Sequence, residues 1–254
     1  MKIAYVVTRA DPIGGAQVHV RDLAAAIRED GFEPTVIVGG EGLFTDSLRE
    51  AGIPTVVVPH LVAPISPARD PVALGQIRRA LGRLRPDLVS THSSKAGILG
   101  RMAARSLRLP VLFTAHGWSF SPGVPQLMAA CYRLIERRAA PLADRIITVS
   151  EFDRTLALSS GVATSRQLIT IHNGMPDVAP SLRADPGRSP PRLVMVARFE
   201  KQKDHVTLLR AMAGLEAYPW ELDLVGDGPL MPAAQALAAK LGLGGRVRVL
   251  GQRK

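Results

Sequence analysis

The stretch from Arg192 to Gly228 leaves few folds open to this chain. Leu193 to Ala197 is an apolar run without polar alternation, the pattern of a strand covered on both faces. The loop after it carries Arg198, Lys201 and Lys203, and a helix is expected from Asp204 to Gly214. A second apolar strand, Leu222 to Val225, ends in the turn Gly226-Asp227-Gly228-Pro229. In an open α/β sheet, ligands bind beyond the carboxyl ends of the strands. Arg198 and Lys203 beside a helix amino terminus suit a diphosphate, because cations and free backbone N–H groups converge there. Gly226 and Gly228 let a further part of a ligand approach the backbone. Surface cations after a strand are also common without any ligand, and that reading stays open.

The same grammar runs through the preceding residues. A strand at Lys2 to Thr8 leads through Asp11-Pro12-Ile13-Gly14-Gly15 into a helix from Ala16 to Glu29. Gly14 and Gly15 allow close backbone approach by a diphosphate or a sugar at that helix start. The pattern is not GxGxxG, and no acidic residue ends the next strand at Thr35 to Val38, so a nicotinamide dinucleotide site is not supported. Further strands are expected at Thr55 to Val58, Asp87 to Thr91, Val111 to Thr114, Arg145 to Val149 and Leu168 to Ile171. The helices between them are expected at Phe44 to Ala51, Val72 to Arg85, from Ser93 or Ser94 to Leu107, Val124 to Ala140, and Glu151 to Ser159 capped by Ser150. Strands alternating with helices predict a mostly parallel sheet covered on both faces over residues 1–175. Residues 176–191, rich in Pro, Asp, Gly and Ser, read as a linker, and 192–254 as a second, incomplete sheet domain.

Charge narrows the partners. The 254 residues carry a formal charge of +10, and the 69–108 block holds Arg69, Arg78, Arg79, Arg83, Arg85, Lys95, Arg101, Arg105 and Arg108 against only Asp70 and Asp87. Apolar residues such as Ile77, Leu81 and Leu84 on those helices are expected to pack on the sheet, leaving the cations on solvated faces. An anionic membrane surface or a lipid diphosphate remains open as a peripheral contact. Nucleic acid does not, since the block contains no aromatic residue to stack on bases. A single cysteine, Cys131, points to a reducing compartment and, beside Met128, Tyr132 and Ile135, to helix packing rather than chemistry. No metal constellation is read, since His92, His116 and His172 end different strands and no Cys/His cluster has ligand spacing; these histidines could still crowd one sheet edge, which leaves a metal open as a minor alternative. With no cleavage-site pattern after the first strand and no run of membrane-spanning length, a cytoplasmic protein is expected, with the inner face of the cell membrane as its place if the basic helices touch lipid.

Taken together, Gly14-Gly15, HSSKAGILGRMAA from His92, TAHGWSF from Thr114, DRIITVSEFDR from Asp144, IHNG from Ile171, VARFEKQKD from Val196 and LVGDGP from Leu224 resemble the family-4 glycosyltransferases of the GT-B type. Among these, the chain is similar to bacterial capsule, exopolysaccharide and lipopolysaccharide transferases. The resemblance implies an α/β fold of two Rossmann-type parallel-sheet domains, with an acceptor on the first and a nucleotide-sugar donor on the second. It implies a retaining transfer from a nucleoside-diphosphate sugar to an envelope glycan or polyprenyl-diphosphate-linked acceptor, with no separate cofactor and no metal. Arg198 and Lys203 match cations on the donor diphosphate, Gly15 a glycine approaching it, and His116 a histidine beside the transferred sugar. The family's Glu-x7-Glu pair has no counterpart before Lys254, so the resemblance leaves open a truncated, inactive remnant or binding lobe. A nucleotide-sugar epimerase shares the layout, but no acidic residue is placed for its proton abstraction.

Overall fold

A computed structural model describes residues 1–175 and 177–253. Pro176 and Lys254, which open the expected linker and close the expected second domain, lie outside the described residues. The chain divides into two compact units, Met1–Met175 and Pro176–Lys254.

The first unit alternates strand and helix in the order β1 (Lys2–Val7), α1 (Gly15–Glu29), β2 (Glu33–Val38), α2 (Leu43–Glu50), β3 (Thr55–Val57), α3 (Asp70–Leu84), β4 (Leu88–His92) and α4 (Ser94–Ser106). It continues with β5 (Val111–Ala115), α5 (Gln126–Ala139), β6 (Arg145–Thr148), α6 (Glu151–Ser159) and β7 (Leu168–Thr170). The seven strands are parallel and ordered β3-β2-β1-β4-β5-β6-β7. Successive residues of β1 feed opposite cores because side chains alternate across a strand. Ala4 and Val6 pack with Ile77 and Leu81 of α3 and Ala103 of α4. Ile3, Tyr5 and Val7 pack with Val20 and Ala24 of α1 and Phe44 and Leu48 of α2. Both faces are therefore covered, which is why β1 reads as an uninterrupted apolar run.

Two helix starts are informative. Ser150 caps α6, its Oγ accepting from the Asp153 N–H at 3.1 Å. At α4 neither serine caps: Ser93 Oγ is bonded to Thr8 Oγ1 at 2.7 Å, and Thr8 Oγ1 accepts from the Ala96 N–H at 3.1 Å. The end of β1 thus supplies the cap for a helix far along the chain, and fixes the ends of β1 and β4 to each other.

The second unit contains β8 (Arg192–Val196), α7 (His205–Ala213), β9 (Glu221–Val225), α8 (Met231–Lys240) and β10 (Val247–Gly251), with the parallel order β10-β9-β8. Leu222 and Leu224 of β9 pack beneath Leu209 and Met212 of α7 and Ala234 and Ala238 of α8. Both helices lie on one face. The other face carries Asp223, held by Arg192 at 2.7 Å and Arg248 at 2.7 Å. Here the expectation of a doubly covered strand at Leu193 to Ala197 fails: Val194 is 63% and Val196 75% exposed. The run lacks polar alternation, but β8 is an edge strand whose outward side chains have no helix above them among the described residues. Among the described residues the architecture is that of two Rossmann-type parallel sheets, as expected for a GT-B fold, with three strands in the second unit against seven in the first.

Candidate functional site

In the first sheet β1 and β4 are neighbours, and the connections from them leave toward opposite edges of the sheet. This is the topological switch point, where a crevice opens beyond the strand ends. The amino termini of α1 and α4 both start there, although at α4 the Ala96 N–H is already taken by Thr8 Oγ1. Gln17, buried in the first turn of α1, accepts from the Gly14 N–H at 3.2 Å and donates to the Arg9 carbonyl at 3.3 Å, which fixes the loop leading into the helix. A Cβ placed on Gly15 would meet nothing within 4 Å, so the space beside that backbone is open.

Three imidazoles meet at the same edge. His19 stands one turn into α1, His92 ends β4, and His116 follows β5. His92 Nδ1 lies 3.0 Å from His116 Nε2, while His92 Nε2 lies 3.0 Å from Ser90 Oγ. The ring centroids of His19 and His116 are 5.1 Å apart, edge to face, and those of His92 and His116 are 5.3 Å apart, stacked. Burial pushes the His116 imidazolium pKa down to about 4, with the neighbouring His19 adding to the effect. His92, fully buried, is held well below the usual histidine range by burial, then by His116 and His19. Burial also lowers His19, partly opposed by Asp22. All three rings are consequently neutral near pH 7. The sequence points to His116 and places His92 and His172 at the ends of different strands, but it gives no sign of His19. The structure brings His92 and His19 to His116, whereas His172 is exposed with Nδ1 3.1 Å from the Val149 carbonyl.

A cavity of about 360 Å³ opens beside the start of α4, walled by Ile65, Ile98, Leu99, Tyr132 and Ile135. Its polar rim includes Ser94 and Ser119, hydroxyl to hydroxyl at 2.7 Å, and the ion pair of Lys95 with Asp70 at 2.7 Å. Lys95 also donates to the Pro64 carbonyl. The basic block therefore presents fewer free cations than its composition suggests. Arg105 pairs with Asp144, and Arg101 is wholly buried, paired with Glu136 at 2.8 Å and stacked on Phe113. Cys131, expected to pack, is exposed, because α5 buries only Glu136 and Ala139.

In the second unit, Arg198 and Lys203 both stand exposed on the connection from β8 to α7. Arg198 reaches Glu200 at 2.7 Å, while Lys203 ends a 3-10 turn and makes no ion pair among the described residues. The start of α7 is capped by Asp204, whose Oδ1 accepts from the Thr207 N–H at 3.2 Å. One of the N–H groups expected to face an anion is thus already used. Gly226 (φ +142°) and Gly228 (φ +150°) follow β9, and a Cβ at either would run into the backbone of Ala197 or Phe199. Those two glycines are needed for the turn to pack against the β8 loop.

The model of glycosyltransferase family 4 matches residues 13–179, and that of glycosyl transferases group 1 matches residues 182–254. The Escherichia coli UDP-Gal:alpha-D-GlcNAc-diphosphoundecaprenol alpha-1,3-galactosyltransferase is 30% identical over 176 residues, covering 69% of this chain and 45% of that protein. The chain spans about half the length of the curated relatives it matches. Among solved structures, Anabaena HepE in complex with UDP and glucose superposes with a TM-score of 0.77 at 23% identity, covering 100% of this chain and 70% of that one. Sucrose-phosphate synthase from Thermosynechococcus elongatus gives 0.77 at 20% identity, covering 100% and 71%. These last two likenesses concern the fold.

Proposed function

We propose a reaction on one premise: the chain belongs to glycosyltransferase family 4. It serves the transfer of a sugar from a nucleoside-diphosphate sugar to an envelope-glycan acceptor carried on a polyprenyl diphosphate, with retention of anomeric configuration. The observation that carries this reading is the switch-point edge of the first sheet, where α1 starts on the open backbone of Gly15 and brings His19 to 5.1 Å, ring to ring, from the neutral His116, while an apolar cavity opens beside the start of α4. The Escherichia coli relative, a transferase from UDP-Gal to a GlcNAc-diphosphoundecaprenol, supports the choice of substrates.

Each group has a task within its own unit. Arg198 and Lys203 take the donor diphosphate and stabilise it as negative charge grows on the departing phosphate. Gly226 and Gly228 keep the neighbouring turn close to that loop. Gly14 and Gly15 open the first turn of α1 to a phosphate or sugar oxygen. His116, neutral and partly buried, bonds a hydroxyl of the transferred sugar without adding charge to the site. The departing phosphate itself guides the incoming hydroxyl on the same face of the sugar, so no protein nucleophile is assigned. The apolar walls of the cavity take the first isoprene units of the acceptor. Exposed Arg78, Arg79 and Arg83 on α3 favour a peripheral contact with an anionic bilayer at the cytoplasmic face.

The test is incubation with UDP-sugars and a short-chain polyprenyl-diphosphate GlcNAc acceptor, read by mass spectrometry and NMR of the linkage. One added sugar with the donor's anomeric configuration is expected. An inverted linkage removes the retaining step. Absence of nucleoside-diphosphate binding by calorimetry removes the donor assignment, and equal turnover of an acceptor without lipid removes the carrier.

A further inference from the structure

We propose that His19, His92 and His116 form a binding site for one divalent transition-metal ion, of which Zn²⁺ is the representative, distinct from the transfer chemistry. One ring nitrogen from each residue lies within 4.8 Å of the others. Nitrogen ligands on one zinc ion at roughly 2.0–2.1 Å stand about 3.3 Å apart in tetrahedral geometry. The His92 Nδ1 to His116 Nε2 separation of 3.0 Å is already near that value. His19 is the ring with room to adjust, being partly exposed on the first turns of α1 and without a side-chain hydrogen bond among the described residues.

The surroundings of His92 point the same way. Its Nε2 is 3.0 Å from the buried Ser90 Oγ. With the Nε2–H donated to that hydroxyl, the Nδ1 lone pair is left facing the other two rings. A ligating histidine is regularly held in this manner, its second nitrogen engaged by a fixed oxygen. Without an ion, the His116 Nε2–H is donated to the His92 Nδ1 at 3.0 Å, and a metal ion would take the place of this proton. A hydrogen bond between His92 and His116 alone employs two of the three imidazoles and leaves His19 without a task. Three nitrogens and no carboxylate select Zn²⁺, Ni²⁺ or Cu²⁺ over Mg²⁺ and Ca²⁺. Occupancy withdraws His116 from the sugar hydroxyl, so the ion acts as an inhibitor of the proposed transfer, although its binding does not depend on that reaction.

The experiment is titration of the 254-residue chain with Zn²⁺ by calorimetry and with Co²⁺ by visible absorption. Binding at one ion per chain, with a Co²⁺ d–d band and no response to Mg²⁺, is expected. His19→Ala and His116→Ala each weaken binding by about tenfold or more, and Ser90→Ala by about 10- to 100-fold. Cys131→Ser and His60→Ala, outside the cluster, leave it unchanged. Circular dichroism confirms that each variant is folded; His19→Ala, on a helix and partly exposed, is the one least exposed to failure on that count. No stoichiometric binding, full binding in both histidine variants, or loss of binding in Cys131→Ser overturns the site.

Discussion

Gly15 and Gly228 look alike in the sequence and differ in what surrounds them. A methyl group on Gly15 meets nothing within 4 Å, whereas one on Gly228 falls 2.7 Å from the Phe199 carbonyl oxygen and 2.9 Å from its nitrogen, at φ +150°. Gly15→Ala should therefore leave stability within about 1 kcal/mol of the parent, while narrowing the approach to the helix start and raising the donor dissociation constant. Gly228→Ala should cost about 1–3 kcal/mol through strain. Urea denaturation beside nucleotide calorimetry separates the two effects. If Arg198 holds the donor diphosphate as proposed, Arg198→Ala removes a charge-assisted contact worth about 1.5–3 kcal/mol, and nucleoside-diphosphate affinity should fall roughly 10- to 100-fold. Unchanged affinity would leave Arg198 with Glu200 as its partner among the described residues. That Gly14-Gly15 and His116 stand just beyond strand ends could be read, because each follows a recognisable strand. His19 was not: it sits inside a helix, and only the order β2-β1-β4-β5 carries it to the other two imidazoles.

At the scale of elements, α5 is fastened to α4 by Arg101 and Glu136 rather than by a broad apolar face. A basic residue in a basic block reads as surface, because a single helix cannot reveal an acid arriving from another one. Glu136→Ala leaves the guanidinium buried and uncompensated, with an expected loss of about 3–5 kcal/mol in chemical denaturation. Asp223 plays the corresponding part for the second sheet. Its carboxyl is held below the ordinary value of 3.8, first by the hydrogen bond from Arg248 and then by that from Arg192. The folded form therefore gains stability above the unfolded value, and loses it as pH falls through the lower, folded one. The melting temperature of the second unit should fall below about pH 4, and Asp223→Asn should flatten that dependence. An unaltered acid limb in the variant would show that the two arginines contribute nothing through this group.

Across the whole chain, most strand and helix positions could be read from apolar runs interrupted by glycine, serine and histidine turns. The alternation fixes a parallel sheet, and short crossovers fix the direction of each step. Coverage was the part that could not be read. Five apolar residues without alternation describe a central strand and an uncovered edge strand equally well, and β8 proved to be the second kind. That difference has a practical side for anyone handling the protein. Val194 and Val196 stand on β8, at one end of the described strand order, where among the described residues no strand answers its outer backbone groups, and such an edge is a template onto which another extended segment adds readily. Concentrated samples should drift toward larger particles in dynamic light scattering. A single lysine in place of Val196 should keep them small while leaving the histidine crevice of the other unit untouched.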